Sequence, residues 1–283
     1  MSEGSFVRLA SAQIVAVQGP EARSFLQSQT MHDVAALKPG AWQWNGLLNT
    51  KGRVLFLFRL VCLADDEFLL IQSVPRAAAL AAHLTTYRFR ARVSISTRPE
   101  LSVHGAFEPL PLLDAASVRR EEDGSLRISL APWRAAHLLI GAEPPSRAEG
   151  EEGWWREEIL SGAVRVHEAL AGQYLPPMLG LQRIGAFSLR KGCYPGQEIL
   201  ARSHYLGEVK RHLAILRGST RLAPGQRLQD REGRTIGDVV DAAGPAHDRV
   251  IACVTSLELA MPSVPTAEGI LLVHEPRGSV SEH

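Results

Sequence analysis

The longest strongly apolar runs in this chain are Val54–Phe58 and Ile270–Val273. A helix that spans a membrane needs about 20 consecutive apolar residues, so neither run serves that purpose. Such short runs, broken by Gly and Pro, suit strands and short helices packed in several layers. The sequence has 283 residues, 45% of them apolar. At roughly 100–200 residues per domain it is long enough for two or three cores.

The punctuation gives a coarse map. Gly19-Pro20 followed by Glu21 predicts a helix start, with Ala22, Phe25, Leu26 and Gln29 on one core-directed face. After Pro39-Gly40, residues 41–48 and 53–64 read as two strands of a hairpin, joined by Asn49-Thr50-Lys51-Gly52. Residues 67–72 form a further strand, 75–87 an Ala/Leu-rich helix and 92–97 a return to strand. The Pro-, Gly- and charge-rich stretch Gly141–Gly153 marks a surface connection and a boundary. From Leu206 onward, turn signals at Pro224-Gly225, Glu232-Gly233 and Gly244-Pro245 predict a small all-β unit. No repeat of 20–50 residues organises the chain, which removes solenoids and propellers.

Composition narrows the function classes. Lys and Arg number 31 against 30 Asp and Glu, a net charge of +1. That balance supplies no broad footprint for duplex nucleic acid or an anionic membrane. The N-terminus lacks the pattern of a signal peptide, and three widely separated cysteines make no disulfide framework, so a reducing cytoplasm is the expected setting. The ten histidines lie in unrelated contexts with no CxxC, HxxxH or HExxH, and no metal ligand set is assigned. GxGxxG, GxxxxGK[ST] and GxSxG are absent as well.

The most unusual segment is Phe187–Arg202, FSLRKGCYPGQEILAR. Cys193 lies in a turn with Gly192, Pro195 and Gly196, flanked by Lys191 and by the polar pair Gln197-Glu198. Two readings stand: an inert, buried thiol in a structural turn, or an accessible thiol whose thiolate a nearby cation favours. Cys62 and Cys253 sit in apolar strands and read as core residues. Arg88, Arg90 and Arg92 alternate as they would on one strand face, either a solvated face or a docking surface for an anion or partner. The pairs Trp42/Trp44 and Trp154/Trp155 are either core or the lining of a flat-ligand pocket.

The 187–202 segment closely resembles the signature K-G-C-Y-x-G-Q-E of the YgfZ-type folate-binding proteins, relatives of the glycine-cleavage T-protein. The resemblance continues through Gln173, Pro176 and Gly185, through Ala201-Arg202, Gly207 and Lys210-Arg211, and through the Lys51-Gly52 turn. It also covers Gly19–Val34, where Gln27, Gln29 and Asp33 keep the order Q-x-Q-x-x-x-D.

The resemblance implies an α+β fold with a T-protein-like arrangement of three domains around a central channel, closed by a small C-terminal β-barrel. Its divisions would fall at 1–40 plus 154–205, at 41–153 and at 206–283. It implies tetrahydrofolate as ligand and a role in assembling or maintaining iron–sulfur enzymes, including those that modify tRNA, as transient client proteins. Cys193 with Lys191 would form the reactive centre. Gln27, Gln29, Lys51, Gly192, Tyr194, Gly196, Gln197, Glu198, Arg202 and Arg211 would form the folate site, where Lys191, Arg202, Lys210 and Arg211 supply charge for the glutamate tail.

Facing a channel, Cys193 would be accessible rather than buried. Two departures bear on the alternative, a folate-dependent one-carbon transferase. The T-protein relatives use an Asp in the segment after the third strand, and here no Asp or Glu occurs between Phe68 and Pro99. Leu160 stands where the relatives often carry a pterin-holding Glu. Direct tRNA binding is disfavoured by the charge balance, and neither strong nucleic-acid binding nor a membrane is expected.

Overall fold

The computed structural model describes residues 6–107, 116–131, 136–141, 150–205, 209–256, 263–266 and 269–274. The chain divides into two compact units: Met1–Leu47 with Phe56–Glu151 and Ala186–Pro195, and Leu48–Leu55 with Glu152–Gly185 and Gly196–His283. The fold is mixed α/β with three antiparallel sheets.

In the first unit β1 (Phe6–Arg8) and β2 (Gln13–Gln18) precede helix α1 (Ala22–Gln29). Next come β3 (Ala41–Leu48), β4 (Val54–Ala64) and β5 (Glu67–Gln72), then α2 (Ala77–Thr86) and β6 (Ser94–Thr97). One sheet runs in the order β3-β4-β5-β2-β6. Its central strands bury Val15, Val17, Phe58, Leu60, Phe68 and Leu70, which is why their sequences are nearly continuous apolar runs. Helix α1 buries Ala22, Phe25 and Leu26 as the periodicity predicts. Gln29, placed on the same face, is only half-buried, because the helix ends there and Thr30 is extended. A second sheet, β1-β7-β10-β9-β8, adds β7 (Ser102–Ala106), β8 (Val118–Arg120), β9 (Leu126–Ser129) and β10 (His137–Gly141).

The second unit holds α3 (Glu152–Leu160), α4 (Gln197–Tyr205) and the strands β11 (His212–Gly218), β12 (Arg227–Gln229), β13 (Thr235–Ala243), β14 (Arg249–Thr255), β15 (Ser263–Thr266) and β16 (Gly269–His274). These strands form one sheet in the order β12-β13-β14-β11-β16-β15. The three turn signals fall in its connections, where Gly225, Gly233 and Gly244 all have positive φ. Helix α3 packs against β13 and β14. No helix among the described residues is long and apolar enough to cross a membrane.

Three expectations are corrected. Arg88, Arg90 and Arg92 do not share a strand face: residues 87–92 are turns and irregular chain, tied by Ala91 N–H to Arg88 O (2.8 Å). The flat-ligand alternative for the tryptophans gives way to core packing, since all four indoles are buried. Trp42 and Trp44 enclose the buried guanidinium of Arg59, whose carbon lies 5.8 and 4.2 Å from their ring centroids. The end of the surface connection read over Gly141–Gly153 is helical instead, since α3 begins at Glu152, while residues 142–149 of that connection lie outside the described residues. The polar pair Gln197-Glu198, which flanks the Cys193 turn, opens helix α4.

Candidate functional site

Residues 186–195 belong to the first unit, and main-chain bonds begin to fix them: Ser188 N–H donates to Met31 O (2.9 Å). The firmer tie is Lys191. Its Nζ donates to the carbonyls of Gln27 (2.5 Å), Thr30 (2.6 Å) and His32 (3.1 Å), at and just beyond the end of α1. The last carbonyls of a helix have no partner within it and lie at the negative end of its dipole, so a buried cation there satisfies both needs. The Lys191 residue is 6% exposed. Burial brings its ammonium down to about 8, opposed by the Asp33 carboxylate.

Tyr194 completes the staple. Its ring lies 5.0 Å from the Lys191 Nζ and its hydroxyl donates to Ser188 O (3.1 Å). Burial holds this phenol well above its usual range. Between the two anchors the thiol of Cys193 is exposed, as is Gly192, while Cys62 and Cys253 are buried. Burial pushes the Cys62 thiol up, and pushes that of Cys253 up to about 12.

The wall behind the turn is built from Gln27, Asp33 and a residue the sequence reading did not single out, Asn45. Gln27 Oε1 accepts from Val34 N–H (2.7 Å) and Ala35 N–H (3.1 Å), and Asp33 Oδ1 accepts from Ala35 N–H (3.0 Å). Asn45 Oδ1 accepts from the N–H groups of His32 and Gly46 (2.9 Å each), and its amide donates to Thr30 Oγ1 (3.1 Å). Burial lowers the His32 imidazole below its ordinary value. Gln29 instead points its amide to Ser28 Oγ (3.1 Å). The structure thus joins Gln27, Asp33, Lys191 and Tyr194 in one hydrogen-bonded block that presents Cys193, and Lys191 serves the main chain there.

The remaining motif residues lie in the second unit. Gly196 has φ +79°, and a Cβ on it would stand 2.4 Å from Asn49 O and 2.7 Å from Gly52 Cα. Helix α4 therefore starts with its backbone against the β3–β4 turn, an approach that only glycine permits. In that turn Asn49 Oδ1 accepts from the N–H groups of Lys51 and Arg53 (3.0 Å each), which leaves the Lys51 side chain exposed. Along α4, Glu198 and Arg202 are exposed, Gln197 is half-buried and Leu200 is buried. Glu198 in the first turn complements the helix dipole. Arg211 is not with them: it pairs with Asp238, and its guanidinium lies 5.4 Å from the Tyr174 ring centroid. Burial and Asp238 push the Tyr174 phenol up to about 12. The motif residue Gly207 lies outside the described residues.

The fit of these residues to a folate can be tested on charge. Arg202 and Lys210 are exposed cations without an ion pair among the described residues, as a glutamate tail requires. Arg211 and Lys191 are engaged elsewhere. Leu160 is buried, in keeping with an apolar packing role. A cleft of about 330 Å³ in the first unit, lined by Arg8, Gln13, Ala77, Arg98 and Val103 among others, contains none of the residues assigned from sequence.

A second polar centre gave no sequence signal beyond an Asp inside an apolar strand. Asp241, fully buried in β13, takes Arg165 Nη2 (2.7 Å), Arg165 N–H (2.8 Å) and His167 Nε2 (3.2 Å).

No family model matches the chain. The tRNA-modifying protein YgfZ of Edwardsiella ictaluri is 29% identical over 280 residues, covering 88% of this chain and 83% of that protein. The mitochondrial iron-sulfur cluster assembly factor IBA57 of Homo sapiens is 27% identical over 257 residues, covering 81% and 72%. Among solved structures, the glycine cleavage system aminomethyltransferase T from Bartonella henselae superposes with a TM-score of 0.75 at 18% identity, over 98% of this chain and 88% of that one. At that identity the likeness speaks for the fold.

Proposed function

From the premise that this chain is a YgfZ-type protein with a T-protein-like fold, we propose that it is a cytoplasmic, tetrahydrofolate-binding accessory factor for assembly or repair of iron–sulfur enzymes, tRNA-modifying ones included. The observation that carries this reading is the setting of Cys193. Of the three cysteines it alone is exposed, on a turn that Lys191 holds to the end of α1. An exposed thiol on a fixed turn acts as a nucleophile or as a transient ligand to iron, whereas Cys62 and Cys253 are sealed in the core. In this reading the role of Lys191 is to position the turn.

The names of the relatives support the iron–sulfur and tRNA-modification role, and the family blocks support the folate. Arg202 and Lys210 would hold the glutamate tail, since their exposed cations match its carboxylates. The bound folate would supply a carrier for one-carbon units. The division into domains that we propose is 1–40 with 154–205, then 41–153, then 206–283 as a small barrel.

The test joins three measurements. In a strain lacking this protein, Cys193→Ala is expected to fail to restore iron–sulfur enzyme activity while melting like the parent. Cys62→Ala is expected to complement but to melt lower, by about 1–2 kcal/mol of lost packing. Native alkylation should label Cys193 well ahead of the other two thiols, and calorimetry with reduced folate should show saturable heat. Full complementation by Cys193→Ala, or alkylation of Cys193 as slow as that of Cys62, refutes the accessible-thiol mechanism. Heats no larger than dilution at millimolar folate refute the ligand.

A further inference from the structure

The loop between α2 and β6 carries the most exposed large apolar side chain among the described residues. Phe89 is 84% exposed and has φ +45°, a conformation that L residues other than Asn and Asp seldom adopt. Arg88 and Arg90 flank it, both exposed, and neither side chain has an ion pair or hydrogen bond among the described residues. The sequence has no carboxylate between Phe68 and Pro99. Glu21, which does reach the loop, is occupied by Arg92, taking its N–H (2.7 Å) and its Nε (3.2 Å). Among the described residues no carboxylate pairs with Arg88 or Arg90.

Immediately after this loop runs β6, the last strand of its sheet. Arg98 N–H donates to Ile14 O (2.9 Å), and Ala16 lies opposite Ser96. In an antiparallel ladder that alternation turns the main chain of Ser94 and Ser96 toward β2. Ile95 and Thr97 turn their N–H and C=O groups to the open side, where no residue among those described takes them. Edge strands are commonly guarded by a charge, a proline or a bulge. The sequence of β6, Ser-Ile-Ser-Thr, has no charge and no proline, and its pairing with β2 is regular.

We propose that the open edge of β6, with Arg88, Phe89 and Arg90 in the loop that leads into it, is a docking surface for an extended acidic segment of a partner protein. The segment adds as a strand along Ile95 and Thr97, its carboxylates meet the two arginines, and an apolar side chain covers the Phe89 ring. Charge selects this occupant. A second copy of this chain would bring the same arginines and an uncharged strand. A nucleic acid would satisfy the arginines but has no peptide main chain to pair with the edge. The accessory-factor reading gives the segment a source in a client protein, and the surface rests on that reading only for the partner's identity.

The experiment uses the purified full chain and a fluorescein-labelled peptide of alternating Glu and Val. Saturable binding that weakens with salt is expected, with slowed amide exchange at Ile95 and Thr97 and little change at Ser96. Arg88→Glu combined with Arg90→Glu should weaken binding about tenfold or more without lowering the melting temperature. Ile95→Pro removes an outward-facing N–H, together with the half-buried Ile side chain, and should abolish binding. A probe peptide with a central proline makes the same test from the other side should that variant melt low. Unchanged affinity in the charge-reversal variant, unchanged exchange at Ile95 and Thr97, or tighter binding of a labelled oligouridylate than of the peptide would overturn the proposal. Complementation by Cys193 variants is a separate readout, so failure of either reading leaves the other standing.

Discussion

The ammonium of Lys191 donates to three carbonyls in a buried setting, and this fixes what its loss must do. Lys191→Met keeps the bulk of the stem but leaves those acceptors without their donor. The expected cost is on the order of 3 kcal/mol, the usual penalty for stranded buried polar groups. The Ser188 amide, bonded to Met31 O, should exchange faster in the variant, because the turn loses its main tie to α1. A variant with parental stability and unchanged Ser188 exchange would show that the ammonium is not the anchor. Tyr194→Phe is milder by the same reasoning, since it removes one bond, to Ser188 O.

At the scale of elements, the contact between the start of α4 and the β3–β4 turn separates two glycines of one motif. A Cβ on Gly196 would meet backbone atoms of Asn49 and Gly52 at 2.4 and 2.7 Å, and its φ of +79° disfavours any side chain. A Cβ on Gly192 would meet nothing within 4 Å. Gly196→Ala should therefore cost about 2 kcal/mol or more, through both strain and a forced shift of the turn, while Gly192→Ala should stay within about 0.5 kcal/mol of the parent. Denaturant midpoints of the two variants measure the difference, and equal midpoints would contradict it. Lys51 is carried on that same turn, so under the proposed folate reading the affinity for reduced folate should fall in Gly196→Ala even where the variant is folded.

For the molecule as a whole, acid sensitivity is set in part by Asp241. Burial alone would raise its pKa, but the Arg165 guanidinium and the His167 bond outweigh burial and hold the carboxylate below its ordinary value of 3.8. A carboxylate depressed in the folded state stabilises fully above its unfolded value, and that contribution is lost as pH falls below 3.8 toward the folded value. Melting temperature should thus drop steeply on the acid side of that point. Asp241→Asn should lower stability at pH 7 by about 3–5 kcal/mol, since it leaves a buried guanidinium without its counter-charge. It should also flatten the acid limb, and melting scans from neutral to acid pH check both effects. An acid limb as steep in Asp241→Asn as in the parent would assign the sensitivity to other carboxylates.

The sequence by itself determined the elements whose signals are local. The hairpin across Asn49–Gly52, the apolar faces of α1 and α2, and the turns at Gly225, Gly233 and Gly244 follow from periodicity and from residues that permit positive φ. It also marked the Cys193 segment as distinctive, and placed Cys62 and Cys253 in the core because they sit in apolar strands. Tertiary structure alone decided which polar residues work together. Lys191 reads as a neighbour of Cys193, yet its ammonium serves Gln27, Thr30 and His32, more than a hundred residues away in the chain. Arg211 reads as one of a basic cluster but is held by Asp238, and four tryptophans suited to a flat ligand fill the interior instead. The physical reason is common to all of these. Backbone turns and amphipathic faces are set by neighbours in sequence, whereas the partner of a buried charge is whichever group the packed chain brings within about 3 Å, and no local pattern encodes that.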